Sequence, residues 1–148
     1  MKNKNKIIVT GGSGFIGTNA VEYLLSKNYI VCNLDINPPK DSSHKHVWEE
    51  LNILDLNLLT LMLKKFNPTH ILHLAADLGM DHKNLDNLEC NINGVENIIE
   101  ASKVLKSLKR VVFTSSLLVC KNGYIPKNDT DYNPPNFYGQ SKMIGEKK

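Results

Sequence analysis

Four glycines fall within seven residues, in Thr10-Gly11-Gly12-Ser13-Gly14-Phe15-Ile16-Gly17. They separate a β-branched run, Lys6-Ile7-Ile8-Val9-Thr10, from a helical stretch over residues 15–27 that carries Ile16, Ala20 and Leu24 at helical spacing. A strand that breaks on glycine and re-enters as a helix can bring main-chain N–H groups up to a phosphate with no side chain in the way, and the helix N-terminus adds partial positive charge. Gly12, Gly14 and Gly17 give a G-x-G-x-x-G frame, which is a weak signal alone. Gly11, Gly14 and Gly17 behind a threonine give the more specific G-x-x-G-x-x-G. A nucleoside-triphosphate loop is excluded, because Thr18-Asn19 follows where Lys-Ser/Thr is required.

Downstream, apolar runs alternate with helical ones. Residues 29–35 read as a strand, 46–50 as a weaker strand, and 56–66 as a helix stopped by Asn67-Pro68. Residues 70–75 read as a strand. Leu88, Ile92, Val95 and Ile99 mark one face of a long helix. Residues 110–115 read as a strand, 121–136 as a loop rich in Pro, Asn and Asp, and 138–148 as a last helix. Apolar strands separated by helices predict an α/β fold, a Rossmann-type doubly wound parallel sheet with three α-β-α layers. The last helix reaches residue 148 with no capping Gly or Asn, so a C-terminally truncated domain over residues 1–148 is expected.

Composition removes several classes of function. No apolar run approaches the length of a membrane span, and the Lys-rich start lacks the apolar core of a secretory signal, so a cytoplasmic protein is expected. Of 18 cationic residues only Arg110 is arginine, which argues against nucleic-acid binding. Cys32, Cys90 and Cys120 are far apart, and His44, His46, His70 and His73 lack ligand spacing, so neither a disulfide framework nor a metal site is expected.

Asp35 ends the second predicted strand, 18 residues beyond Gly17. A carboxylate there can accept from the adenosine ribose hydroxyls of a dinucleotide, and it would repel a 2′-phosphate. NAD is therefore favoured over NADP, with Lys40 softening the preference. The alternative for Asp35 is a strand-end turn residue.

Four motifs occur together in order: the glycine loop, His73-Leu-Ala-Ala76, Thr114-Ser-Ser116 and Tyr138-Gly-Gln-Ser-Lys142. With them the chain resembles the NAD-dependent epimerase/dehydratase family, the extended short-chain dehydrogenases/reductases. The resemblance implies that Gly11, Gly14, Phe15, Ile16, Gly17, Asp35, Leu74, Ala75, Ala76, Thr114, Tyr138 and Lys142 hold the cofactor. It further implies that Asp55, with Leu56 beside it, reaches the adenine, and that Asn91 supports the active-site backbone. Without the family, Asp55 reads equally well as a helix N-cap, Asn91 as a polar helix-surface residue, and Ala75 and Ala76 as ordinary close packing.

Tyr138 and Lys142 are four residues apart and share one helix face. Free phenols ionise only near pH 10, and a neighbouring ammonium favours the phenolate. The resemblance makes Ser116, Tyr138 and Lys142 the catalytic set, with Tyr138 as base while hydride leaves a sugar carbon for NAD. Cys120 and Lys121 stand where the family usually has Tyr and Gly. The family's substrate half, which binds a nucleotide sugar, has no counterpart here, so this chain alone is expected to turn over no sugar nucleotide. The usual family homodimer, formed through the helices at 88–105 and 138 onward, is expected to be weakened. Two readings result: a truncated sugar-nucleotide epimerase, dehydratase or reductase, and a non-catalytic NAD-binding module descended from one.

Overall fold

Alternation along the first strand, β1 (Lys6–Thr10), decides which helix packs where. In the computed structural model, which describes residues 5–148, β1 pairs in parallel with β2 (Ile30–Asp35) on one side and β4 (His70–His73) on the other. β3 (Trp48–Glu50) lies outside β2, and β5 (Arg110–Phe113) outside β4, giving the order β3-β2-β1-β4-β5. Ile7 and Val9 join Val31 beneath helix α1 (Phe15–Ser26), whose Val21 is buried against them. Ile8 points the other way, joining Cys32, Leu34 and Ile71 beneath α2 (Leu56–Phe66) and α3 (Glu89–Ser102) through Leu59, Leu63 and Ile98. A fourth helix, α4 (Phe137–Glu146), packs on α3. This is the expected doubly wound sheet with helices on both faces. Among the described residues no helix is long and apolar enough to cross a membrane.

The boundaries follow local chemistry. The Asp55 carboxylate accepts from Leu58 N at 2.9 Å and so caps α2. Asn67, in the left-handed region at φ 52°, ends that helix just before Pro68. Strands β4 and β5 each stop two residues earlier than their sequence pattern predicts, at His73 and Phe113. Beyond them the chain peels away from the sheet, with Leu74 N still on Thr10 O at 3.0 Å.

Two helices are rotated from the faces their patterns predict. On α1 the buried residues are Gly17 and Val21, while Ile16 is 62% exposed. A Cβ on Gly17 would lie 2.1 Å from Gly11 O and 2.5 Å from Gly12 Cα, so the smallest residue faces the loop and turns Ile16 outward. On α3 the fully buried set is Asn91, Gly94, Val95, Ile98 and Ala101, with Ile92 and Ile99 only half buried. This helix packs between α2 and α4, and the buried amide of Asn91 fixes its rotation through bonds described below.

Gly11 makes the tightest approach. Its φ is +70°, and a Cβ there would lie 2.6 Å from Ala75 N. Gly11→Ala combines left-handed strain with a main-chain clash and lowers the unfolding free energy by about 2 kcal/mol or more. Urea titration reads this as a lower midpoint at unchanged slope; an unchanged midpoint would show that the approach is not needed.

Candidate active site and dinucleotide cleft

At the carboxyl edge of the sheet, where connections from β1 and β4 leave in opposite directions, a cleft of about 610 Å³ opens. Open parallel sheets take ligands at this switch point. Gly11, Gly14, Phe15, Ile16 and Gly17 line it on one side and Leu74, Ala75 and Ala76 on another, with Asp35, Thr114, Tyr138 and Lys142 completing the walls. Gly14 is the N-cap of α1 and makes no side-chain cap bond, and the first turn holds no acidic residue. The orphan N–H groups of that turn therefore face the cleft without an internal anion, which suits a diphosphate.

At the β2 end the Asp35 carboxylate is held at both oxygens. Oδ2 accepts from Ser13 N at 3.0 Å and Oδ1 from Asn37 N at 2.9 Å. Each oxygen keeps acceptor capacity for a diol. Nothing in the residue pattern marks Ser13's part. Ser13 is buried, donates from Oγ to Asn37 O at 2.8 Å and accepts from Asn33 Nδ2 at 3.1 Å. The glycine loop is thereby tied to β2. Lys40 also lines this end.

Asp55 and Leu56 do not reach the cleft. Asp55 is spent on the α2 N-cap, and Leu56 packs at the core edge beside α3. The residues from this segment that line the cleft are Leu51, Asn52 and Ile53, directly after β3. The expectation is therefore displaced by three residues. The signal that could have found the right pair is position, since residues immediately after a parallel strand meet the ligand whereas an Asp before a helical run caps it.

Asn91 is 2% exposed and no surface residue. Its Oδ1 accepts from Asp77 N at 2.8 Å, and its Nδ2 donates to Asp77 O at 3.0 Å and Ser141 Oγ at 3.0 Å. One amide thus fixes the chain leaving β4 and joins it to α4. The Asp77 carboxylate accepts from Gly79 N at 2.7 Å and lies 3.2 Å from His82 Nε2. The Gly79 bond, and secondarily His82, hold its pKa below the usual value.

Tyr138 and Lys142, 8% and 9% exposed, face the cleft from α4. Burial pulls the Lys142 pKa down, while Cys90 and Glu146 act to raise it. His73, beneath them, has its Nδ1 2.7 Å from Thr10 Oγ1 and its ring edge-on to Phe113. Burial first, and the Lys142 charge second, push the His73 pKa down to about 4, so it is neutral at pH 7. Thr114 and Ser115 line the cleft. Ser116, one residue on, is half buried and accepts from Leu118 N at 3.1 Å, capping a short 3-10 turn at Leu117–Val119. Cys90, which the sequence reading did not place here, also lines the cleft.

Among the described residues Glu22, Asp41 and His44 bring ligand-type atoms within 4.8 Å of one another. His44 Nε2 meets Glu22 Oε2 at 2.7 Å, and Asp41 accepts from Ser43 N, so these groups are engaged in joining α1 to the β2–β3 connection. The three cysteines are free thiols.

Comparison with known proteins agrees with this geometry. The profile of the NAD dependent epimerase/dehydratase family matches residues 7–148. A UDP-N-acetyl-alpha-D-glucosaminuronate decarboxylase of Bacillus cytotoxicus is 32% identical over 153 residues, covering 95% of this chain and 44% of that protein. A UDP-glucose 4-epimerase of Mycolicibacterium smegmatis is 30% identical, covering 95% and 49%. The crystal structure of Thermus thermophilus UDP-glucose 4-epimerase in complex with NAD matches with a TM-score of 0.79 at 27% identity, over 96% of this chain and 49% of that one. That of Brucella ovis UDP-glucose 4-epimerase in complex with NAD gives 0.81 at 26% identity, over 97% and 46%. The chain spans about half the length of the curated relatives it matches.

Two measurements test the site. Asp55→Ala loses a cap worth about 1 kcal/mol and lowers the melting temperature, yet leaves dinucleotide affinity unchanged; a marked loss of affinity would return Asp55 to the site. For His73 the folded pKa of about 4 lies below the ordinary 6.5, so the unfolded chain binds the extra proton between those values. The stability of the neutral form is complete above pH 6.5 and is lost as pH falls toward 4. Against His73→Gln, which cannot titrate, the wild type loses up to about 3 kcal/mol over that window. Chemical denaturation at stepped pH reads the difference, and a pH-independent gap rejects the assignment.

Proposed function

Because this chain belongs to the NAD dependent epimerase/dehydratase family, we propose that it binds NAD and carries the acid–base set of an oxidoreductase acting on a nucleotide-linked sugar. The observation behind the reading is convergence: Tyr138 and Lys142, buried on one face of α4, share a cleft with the glycine loop and Asp35. The relatives named above act on UDP-sugars, which supports that substrate class.

Each residue then has a role that its chemistry allows. The N–H groups opening α1 receive the diphosphate. Asp35, oriented by Ser13 N and Asn37 N, accepts from the adenosine ribose diol. Asn52 and Ile53 flank the adenine end, and Ala75 and Ala76 present a flat floor. NAD bound there supplies the hydride acceptor. Tyr138 takes the proton of a sugar hydroxyl as the carbon beneath it loses hydride, leaving a ketone. Positive charge beside a phenol stabilises its anion, which is the part of Lys142. Ser116 offers its hydroxyl to the same sugar oxygen and holds it in line.

Calorimetry with NAD and NADP tests the reading. Wild type binds NAD at least about tenfold more tightly, a gap of about 1.4 kcal/mol, and Asp35→Ala narrows it because the carboxylate that opposes a 2′-phosphate is gone. Equal or stronger NADP binding by wild type would overturn the assignment of Asp35, and binding of neither would overturn the function.

A further inference from the structure

Asn33 is a polar residue where the packing calls for an apolar one. It lies on β2 between Val31 and Asp35, on the same face of the strand, and it is fully buried. Its Oδ1 is buried with no hydrogen-bond partner. An unpaired carbonyl oxygen in the interior is destabilising, so the amide needs a duty that offsets it.

That duty lies at the other end of the group, where Nδ2 donates to Ser13 Oγ at 3.1 Å. A hydroxyl has one hydrogen, and when it faces an N–H donor it must turn that hydrogen elsewhere. Ser13 Oγ turns it to Asn37 O at 2.8 Å. Ser13 and Asn37 are also the two residues whose main-chain N–H groups hold the Asp35 carboxylate, at 3.0 and 2.9 Å. The bonds close a ring from Asp35 to Ser13, from Ser13 to Asn37, and from Asn37 back to Asp35. Asn33 enters the ring at the hydroxyl, whose hydrogen is otherwise free to rotate. The same amide accounts for Gly12, because a Cβ there would lie 2.2 Å from Asn33 Oδ1, whereas Gly11 and Gly17 answer to main chain.

We propose that Asn33 is a positioning residue: through the Ser13 hydroxyl it fixes the two N–H groups that aim Asp35, and so it sets the preference for a ribose diol over a 2′-phosphate. Asn33 does not line the cleft and acts through Asp35. The effect on cofactor choice rests on the function proposed above, whereas the hold on Asp35 does not.

The experiment uses Asn33→Val in the full chain, which removes the donor and the unpaired oxygen together and suits a buried strand. Amide exchange, followed by NMR without dinucleotide, comes first. The Ser13 and Asn37 N–H groups exchange about threefold faster than in wild type, the size expected for one neutral hydrogen bond, while the amides of β1 and β2 keep their rates. Unchanged exchange at Ser13 and Asn37 overturns the proposal. So does a uniform rise that includes β1 and β2, which would mark a merely structural role. Calorimetry with NAD and NADP comes second. Asn33→Val narrows the preference for NAD by about threefold, and in an Asp35→Ala background the same substitution leaves the ratio where it stands. An unchanged ratio in the presence of Asp35, or an equal narrowing without it, overturns the proposal. Should Asn33→Val not fold, Ser13→Ala, which lacks the hydroxyl between Asn33 and Asn37, replaces it in the calorimetry and in the exchange at Asn37. If neither dinucleotide binds, the proposed function fails, while the exchange rates still decide whether Asn33 holds Asp35.

Discussion

The contact on which the rest of the structure depends is between two stretches of main chain. Gly11, leaving β1, approaches Ala75, just beyond β4, so closely that a Cβ would overlap Ala75 N and Cα. Thr10 and His73, the residues before these exits, are paired in register and hydrogen-bonded through their side chains. The two strands are thus clamped at the level where their connections part to opposite sides of the sheet. The cleft follows from this geometry. The glycine loop turns back over β1, and Gly17 lies against the carbonyl of Gly11. That contact sets the rotation of α1 and presents the open end of the helix to the cleft.

A second constraint comes from the opposite wall. Asn91 satisfies the main-chain N–H and C=O of Asp77 with one amide and spends its remaining donor hydrogen on Ser141. Ser141 in turn donates to Tyr138 O at 2.8 Å. The backbone below the cleft and the helix bearing Tyr138 and Lys142 are therefore placed by one buried side chain. Removing it would strand several polar groups at once, each costing about 1–3 kcal/mol. A polar residue at the centre of a buried helix face is explained by this duty.

What the sequence made legible, and what it did not, divides along physical lines. The succession of strands and helices along the chain and the glycine loop were readable because backbone permissiveness and apolar runs are local properties. So was the pairing of Tyr138 with Lys142, which needs only helical spacing. The rotation of α1 and α3 was not readable from apolar spacing, because a glycine and an asparagine, rather than the aliphatic residues, occupy the tightest positions. Asp55 was drawn toward the adenine by resemblance, although its place before Leu56 and its bond to Leu58 N make it a cap. Ser13 and Cys90 stayed hidden because their places exist only once distant segments meet.

The charges along the cleft give it a direction. At the β2 end stands a carboxylate, Asp35, held by two amides. In the middle lies the uncapped N-terminus of α1, which carries partial positive charge. At the far end is Lys142, with a neutral histidine and a neutral thiol beside it. A dinucleotide presents hydroxyls, then a dianionic diphosphate, then a second ribose beside a cationic ring. Reversed, the cationic ring would be carried to the Asp35 end, and Lys142 would be left beside the adenosine, away from the reacting carbon. His73 matters to this order through its lack of charge. A protonated imidazole beneath Lys142 would compete for the same negative groups, and burial against Thr10 and Phe113 prevents it. Burial, with the Lys142 charge second, thus keeps the imidazole closest to this end of the cleft uncharged at pH 7.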